Sequence, residues 1–108
     1  MTASSNSSGT QTATIDTEHT LATITDDGSF VICVDTDAMA LGDQLLLRVK
    51  TKTTSGGTTR LAYQAAYIHN QTIVNKFSVP VVSTNEVVFT LEQIDGTGRA
   101  YPWEIWEL

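Results

Sequence analysis

The sequence predicts an all-β fold, an antiparallel β-sandwich or jelly-roll-like domain, on three observations. From Glu18 to Leu108, runs of Val, Ile, Leu, Thr, Phe and Tyr recur at strand length. Asp-Gly, Gly-Gly and Gly-Thr-Gly separate them, supplying the backbone freedom that tight turns need. No stretch sustains the apolar period of a long amphipathic helix. With 108 residues and 41% hydrophobic content, the chain can fill one modest core but not two. Roughly seven or eight short strands joined by tight turns fit a sandwich or jelly roll better than an open sheet.

Residues 1–14 are rich in Ser, Thr, Asn and Gly and have almost nothing to bury. Burial cannot offset the entropy of ordering such a segment, so a flexible polar arm is expected before a single domain at 15–108. His19–Thr25 reads as the first strand of that domain. Asp26-Asp27-Gly28 then makes a hairpin turn, and Ser29–Asp35 follows with Phe30, Ile32 and Val34 on one face and Val31, Cys33 and Asp35 on the other. Between Thr36 and Asp43, Asp37 reads as an N-cap, Ala38–Leu41 as one helical turn and Gly42 as its stop. Gln44–Lys52 alternates cleanly, with Leu45, Leu47 and Val49 inward and Arg48, Lys50 and Lys52 outward.

Ser55-Gly56-Gly57 turns the chain into Thr58–His69, where Leu61, Tyr63, Ala65 and Tyr67 share a face. Asn70–Asn75 reads as a loop. Lys76–Val82 is extended, but Pro80 lacks a ladder donor, which places this segment at a sheet edge or strand end. Asn85–Gln93 puts Val87, Phe89 and Leu91 inward. After Asp95-Gly96-Thr97-Gly98, Tyr101–Leu108 closes the sheet, with Trp103 and Ile105 on one face and Trp106 and Leu108 on the other.

The charge and the side-chain inventory favour binding over chemistry. A net charge of −6 and a pI near 4.5 argue against tracking nucleic-acid phosphates. Arg48, Lys50 and Lys52 read as a solvated strand face. The lone Cys33 cannot form an internal disulfide, packs as a small hydrophobe and suits assembly in a reducing cytoplasm. Met1–Asn6 has neither the basic nor the apolar region of a signal peptide, and no apolar run approaches the ~20 residues that span a bilayer. The two histidines, His19 and His69, sit in no nucleophile motif, and no enzymatic role is expected. Asp35, Asp37 and Asp43 flank one loop but lack calcium-loop spacing, so capping and turn roles are expected and neither metal nor cofactor is called for. Asn6-Ser7-Ser8 and Asn70-Gln71-Thr72 match the glycosylation triplet, which carries little weight without a secretory signal. Tyr101-Pro102-Trp103-Glu104-Ile105-Trp106 is the strongest candidate surface, because alternation sends one tryptophan to each face.

Several strings together resemble small virion structural proteins of tailed bacteriophages. They are Glu18-His19-Thr20-Leu21, Asp37–Asp43 leading into Leu47-Arg48, Lys52–Thr58, Ala62-Tyr63 and Leu91–Trp103. The likeness covers nearly everything after Ile15. It implies a capsid decoration (cement) protein that binds the major capsid protein and copies of itself, as a dimer or trimer, on the outer capsid surface after assembly in the bacterial host cytoplasm. A tail or baseplate part of similar fold is the alternative within that group. A carbohydrate-binding module is the alternative outside it, resting on Tyr63, Tyr67, Tyr101, Trp103 and Trp106. The expected contact residues are Thr10, Thr12 and Thr14 of the arm with Trp103 and Trp106 of the last strand. No nucleic acid or membrane partner is expected.

Overall fold

The computed structural model describes residues 3–108, which form nine strands in two antiparallel sheets packed as a sandwich. In chain order these are β1 (Ser4–Thr12), β2 (Glu18–Ile24), β3 (Gly28–Asp35), β4 (Gln44–Thr51), β5 (Arg60–Ile68), β6 (Asn75–Phe77), β7 (Val81–Ser83), β8 (Val87–Asp95) and β9 (Ala100–Glu107). One sheet runs β1-β9-β3-β6, with β7 also on β3; the other runs β2-β8-β4-β5. The pairing is nested: β1 with β9, β2 with β8, β3 with β6 and β7, β4 with β5. Two further ladders, β3–β9 and β4–β8, zip these pairs into sheets. A long hairpin rolled up so that its pairs alternate between two layers is the jelly-roll arrangement.

Period-two alternation builds the core. Phe30, Ile32 and Val34 from β3, Leu45, Leu47 and Val49 from β4, Val87, Phe89 and Leu91 from β8, and Tyr101 and Ile105 from β9 are buried between the layers. Tyr63 and Tyr67 of the edge strand β5 and Trp103 of β9 pack against this cluster.

Pro80 interrupts one edge strand, splitting it into β6 and β7, as its missing N–H requires. Ser78 bridges the gap. Its amide donates to the Ile32 carbonyl at 2.9 Å, and its hydroxyl accepts from the Ile32 amide at 3.1 Å. Lys76 of β6 reaches over the Tyr67 ring at 5.3 Å, a cation–π contact linking the edges of the two layers.

Three sequence expectations are corrected. Ser4–Thr12, most of the expected flexible arm, is β1, in register with β9 from Ser4 opposite Glu107 to Thr12 opposite Ala100. Its ordering comes from backbone hydrogen bonds to an otherwise open edge, which composition does not reveal; Met1 and Thr2 lie outside the described residues. The helical turn at Ala38–Leu41 is instead two successive β-turns, closed by Met39 N–H to Thr36 C=O (3.0 Å) and Asp43 N–H to Ala40 C=O (3.1 Å). Asp37 caps nothing there; its amide donates to the Asp35 carboxylate at 2.9 Å. Leu61, expected to share a face with Tyr63 and Tyr67, is 52% exposed while those two pack on the core, because a bulge between Val49 and Lys50 in the β4–β5 ladder shifts its register.

Candidate functional site

The outer face of the β1-β9-β3-β6 sheet holds the candidate site, and strand register assembles it. Ser8 of β1 lies opposite Glu104 of β9, Glu104 opposite Cys33 of β3, and Cys33 opposite Phe77 of β6. Side chains directly opposed on one face stand about 5 Å apart, so these four form a row across the sheet. Thr10 opposite Pro102 and Asp35 opposite Asn75 border the row on one side; Trp106 opposite Val31 borders it on the other. All of these but Val31, together with Gly9 and Trp103, line an open hollow of about 500 Å³. A second hollow of about 360 Å³, lined by Ala3, Val31, Phe77, Trp106 and Leu108, shares Phe77 and Trp106 with it. Phe77 is 60% exposed, a large aromatic left in solvent beside the half-buried Trp106.

The hollow is acidic. Asp35 and Glu104 are its charged residues, and neither joins an ion pair among the described residues. The Glu104 carboxylate accepts the Ser5 hydroxyl at 2.6 Å. Burial pushes the Cys33 thiol up, and the fields of Asp35 and Glu104 push it further, so this cysteine stays a thiol at neutral pH.

The opposite outer face, on β2-β8-β4-β5, is neutralised from within. Arg48 bonds Glu92 at 2.7 Å and Glu18 at 3.1 Å, Lys50 bonds Glu18 at 2.9 Å, and the Thr90 hydroxyl donates to Glu18 at 2.6 Å. Burial raises the Glu18 carboxyl, but hydrogen bonds from Thr90, Lys50 and Arg48 outweigh it and hold the group at about 2. Two of the three cations expected to face solvent are thus engaged with the protein's own carboxylates.

At one end of the sandwich the connections are knitted around Asp43 and Gln93. Asp43, 1% exposed, accepts the Ala40 amide (2.9 Å), the Thr97 amide (3.1 Å) and Arg99 Nε (2.9 Å). The buried Gln93 donates to the carbonyls of Asp95 and Thr97 and accepts from the Arg99 amide and the Tyr101 hydroxyl. Gly96, at φ +86°, leaves no room for a side chain: a Cβ there would lie 2.7 Å from the Asp43 Cα. The acids and glycines that drew notice in the sequence therefore hold loops together.

The histidines are also placed structurally. His19 Nε2 accepts the Thr14 amide at 3.1 Å, and His69 Nδ1 accepts the Gly42 amide at 2.9 Å.

Of the five expected contact residues, Thr10, Trp103 and Trp106 line the hollow. Thr12 is exposed at the far end of β1, and Thr14 lies in the following turn, its carbonyl accepting the Thr17 amide. Trp103 also packs beneath Gly9 and against the core, so it is shared between the hollow and the interior. The aromatic set proposed for sugar stacking also separates: Tyr101 is fully buried, and Tyr63 and Tyr67 pack on the core. Phe77, Asp35, Asn75 and Glu104 were missed as site residues. Only the register of distant strands brings them together, although Phe77 next to the edge-marking Pro80 was a usable signal. No known family model matches this chain, and neither does any curated protein or solved structure.

Proposed function

We propose that this protein is a structural component of a bacteriophage virion, a non-catalytic decoration protein that binds the outer capsid through the β1-β9-β3-β6 face. The observation that carries the reading is the contrast between the two outer faces. One has its central charges matched by its own ion pairs, while the other presents Trp106, Phe77 and carboxylates that join no ion pair among the described residues, in an open hollow. Aromatic side chains of this kind anchor protein interfaces. The resemblance of the sequence strings to virion proteins implies the major capsid protein as the partner; a jelly-roll scaffold suits a part copied many times on a lattice. Repeated modest contacts on a symmetric shell raise occupancy through effective concentration.

Co-sedimentation with purified phage capsids tests the proposal. The protein is expected to saturate the shell, and Trp106→Ala to weaken binding by about tenfold or more, the usual size of an aromatic anchor. Absence of binding to capsids, with binding to tail structures, would move the site of action to the tail or baseplate. A second reading, glycan binding, draws on the same hollow, since Trp106 and Phe77 lie beside Asp35, Asn75 and Glu104 as hydrogen-bonding groups. Saturable binding on a glycan array would favour it.

A further inference from the structure

We propose that the hollow between β9, β3 and β6 is a receptor for an arginine side chain carried by the partner, its guanidinium seated between Trp106, Phe77 and the carboxylates of Glu104 and Asp35. The inference rests on the shell-binding reading only for the identity of the partner. The recognition chemistry stands on the hollow itself.

Charge complementarity is the first argument. The protein has six Lys and Arg against twelve Asp and Glu, and it uses most of those cations internally. Arg48 and Lys50 hold Glu18 and Glu92, Arg99 holds Asp43, and Lys76 covers Tyr67. Glu104 and Asp35 receive none of them among the described residues, and no Lys or Arg lines the hollow. Both carboxylates act on one spot, the Cys33 thiol between them, whose proton they help to retain. A cation entering there meets two carboxylates that are hydrogen-bonded, Glu104 by Ser5 and Asp35 by the Asp37 amide, but matched by no cation among the described residues.

The shape and composition of the recess select the kind of cation. A hydrated metal ion gains nothing from an indole and a phenyl ring, and the described residues hold no cluster of metal-binding side chains. A guanidinium is planar and weakly hydrated, stacks on an aromatic face and forks onto a carboxylate, and its aliphatic stem can lie along apolar surface. Phe77 and Trp106 flank the Glu104–Cys33 pair, and Pro102 and the neutral thiol supply apolar floor. With about 500 Å³ of open volume, the recess accommodates the side chain together with part of its backbone.

The test uses the intact protein and short peptides. The indole N–H signals of Trp103 and Trp106 are followed by NMR during titration with an acetylated Gly-Arg-Gly-Arg-Gly amide. A matched peptide with citrulline, the neutral isostere, and a neutral glucose oligosaccharide form the other arms. Arginine peptide is expected to move the Trp106 signal much more than that of Trp103. It should bind at least tenfold more tightly than the citrulline peptide and weaken with added salt. The Asp35→Asn/Glu104→Gln double variant should lose that preference, whereas Asp26→Asn/Asp27→Asn, which removes the same net charge from a turn, should keep it. Equal binding of the two peptides, equal losses in both double variants, or a Trp106 response to the oligosaccharide alone would overturn the proposal. Capsid co-sedimentation is scored separately, so failure with the peptides while capsid binding persists removes this inference and leaves the shell-binding reading standing.

Discussion

Asp43 couples three connections through one buried carboxylate, accepting from Ala40, Thr97 and Arg99. Burial alone would raise its pKa, but the hydrogen bonds from Ala40, Arg99 and Thr97 outweigh that effect and hold it below the usual carboxylate value. A carboxyl with a depressed folded-state pKa stabilises the fold above its unfolded value, and that contribution is lost as pH falls through the folded value. Glu18, held at about 2, acts in the same direction. Stability against denaturant should therefore be flat from neutral pH down to about 5 and then decline toward pH 2. Asp43→Ala should cost on the order of 2 kcal/mol at pH 7, because it strands the part-buried Ala40 and Thr97 amides and the Arg99 guanidinium. That difference should shrink as the pH falls through the depressed pKa of Asp43; parallel curves for the variant and the parent would contradict the assignment. The sequence marked Asp43 as a turn residue but could not show its partners, since Thr97 and Arg99 lie more than fifty positions away.

Strand segments were legible where side chains alternate and illegible where the backbone alone decides. The alternation in β3, β4, β8 and β9 is written in Phe30-Val31-Ile32, Leu45-Leu46-Leu47, Val87-Val88-Phe89 and Trp103-Glu104-Ile105-Trp106, and each inward set is buried or packs on the core. Pro80 likewise announced an edge. The bulge that turns Leu61 outward and the tight turns at Thr36–Asp43 carry no hydrophobic signature, so periodicity misplaced both. Ser78 is another position where local chemistry, not pattern, completes the sheet. Its hydroxyl takes the Ile32 amide bond that a continuous ladder would give to a carbonyl. Ser78→Ala should leave that buried amide without an acceptor and cost about 1–3 kcal/mol. Hydrogen exchange is the direct readout: the Ile32 amide should lose protection while amides of β4 and β8 change only by the global loss of stability. Unchanged protection at Ile32 would mean that the hydroxyl contributes nothing.

The candidate site is a product of topology, which is why only Thr10, Trp103 and Trp106 could be picked from the sequence. Nesting of β1 on β9 and of β6 and β7 on β3 gathers residues from opposite parts of the chain onto one outer face. It also makes the terminal strand pair the closure of the fold: Ser4 meets Glu107, almost the full chain length apart. The side chains of β1 are mostly exposed and polar, so the strand adds little apolar burial of its own. What it does is satisfy the edge of β9 and cover Trp103, whose ring lies against Gly9. A chain lacking residues 1–12 should keep a β-sheet circular dichroism spectrum, because the core from β2 to β9 remains. It should nevertheless melt roughly 10 °C lower, the shift expected for a loss of about 2 kcal/mol in a domain of this size. With β9 newly unpaired and Trp103 uncovered, the truncated protein should also self-associate as concentration rises, through the hazard of an open edge strand. Light scattering alongside thermal melts separates the outcomes. A monomer with an unchanged melting temperature would show that β1 is dispensable and restore the picture of a free arm. A destabilised, associating species would show that the polar leader is the strand that seals the sandwich beside its binding face.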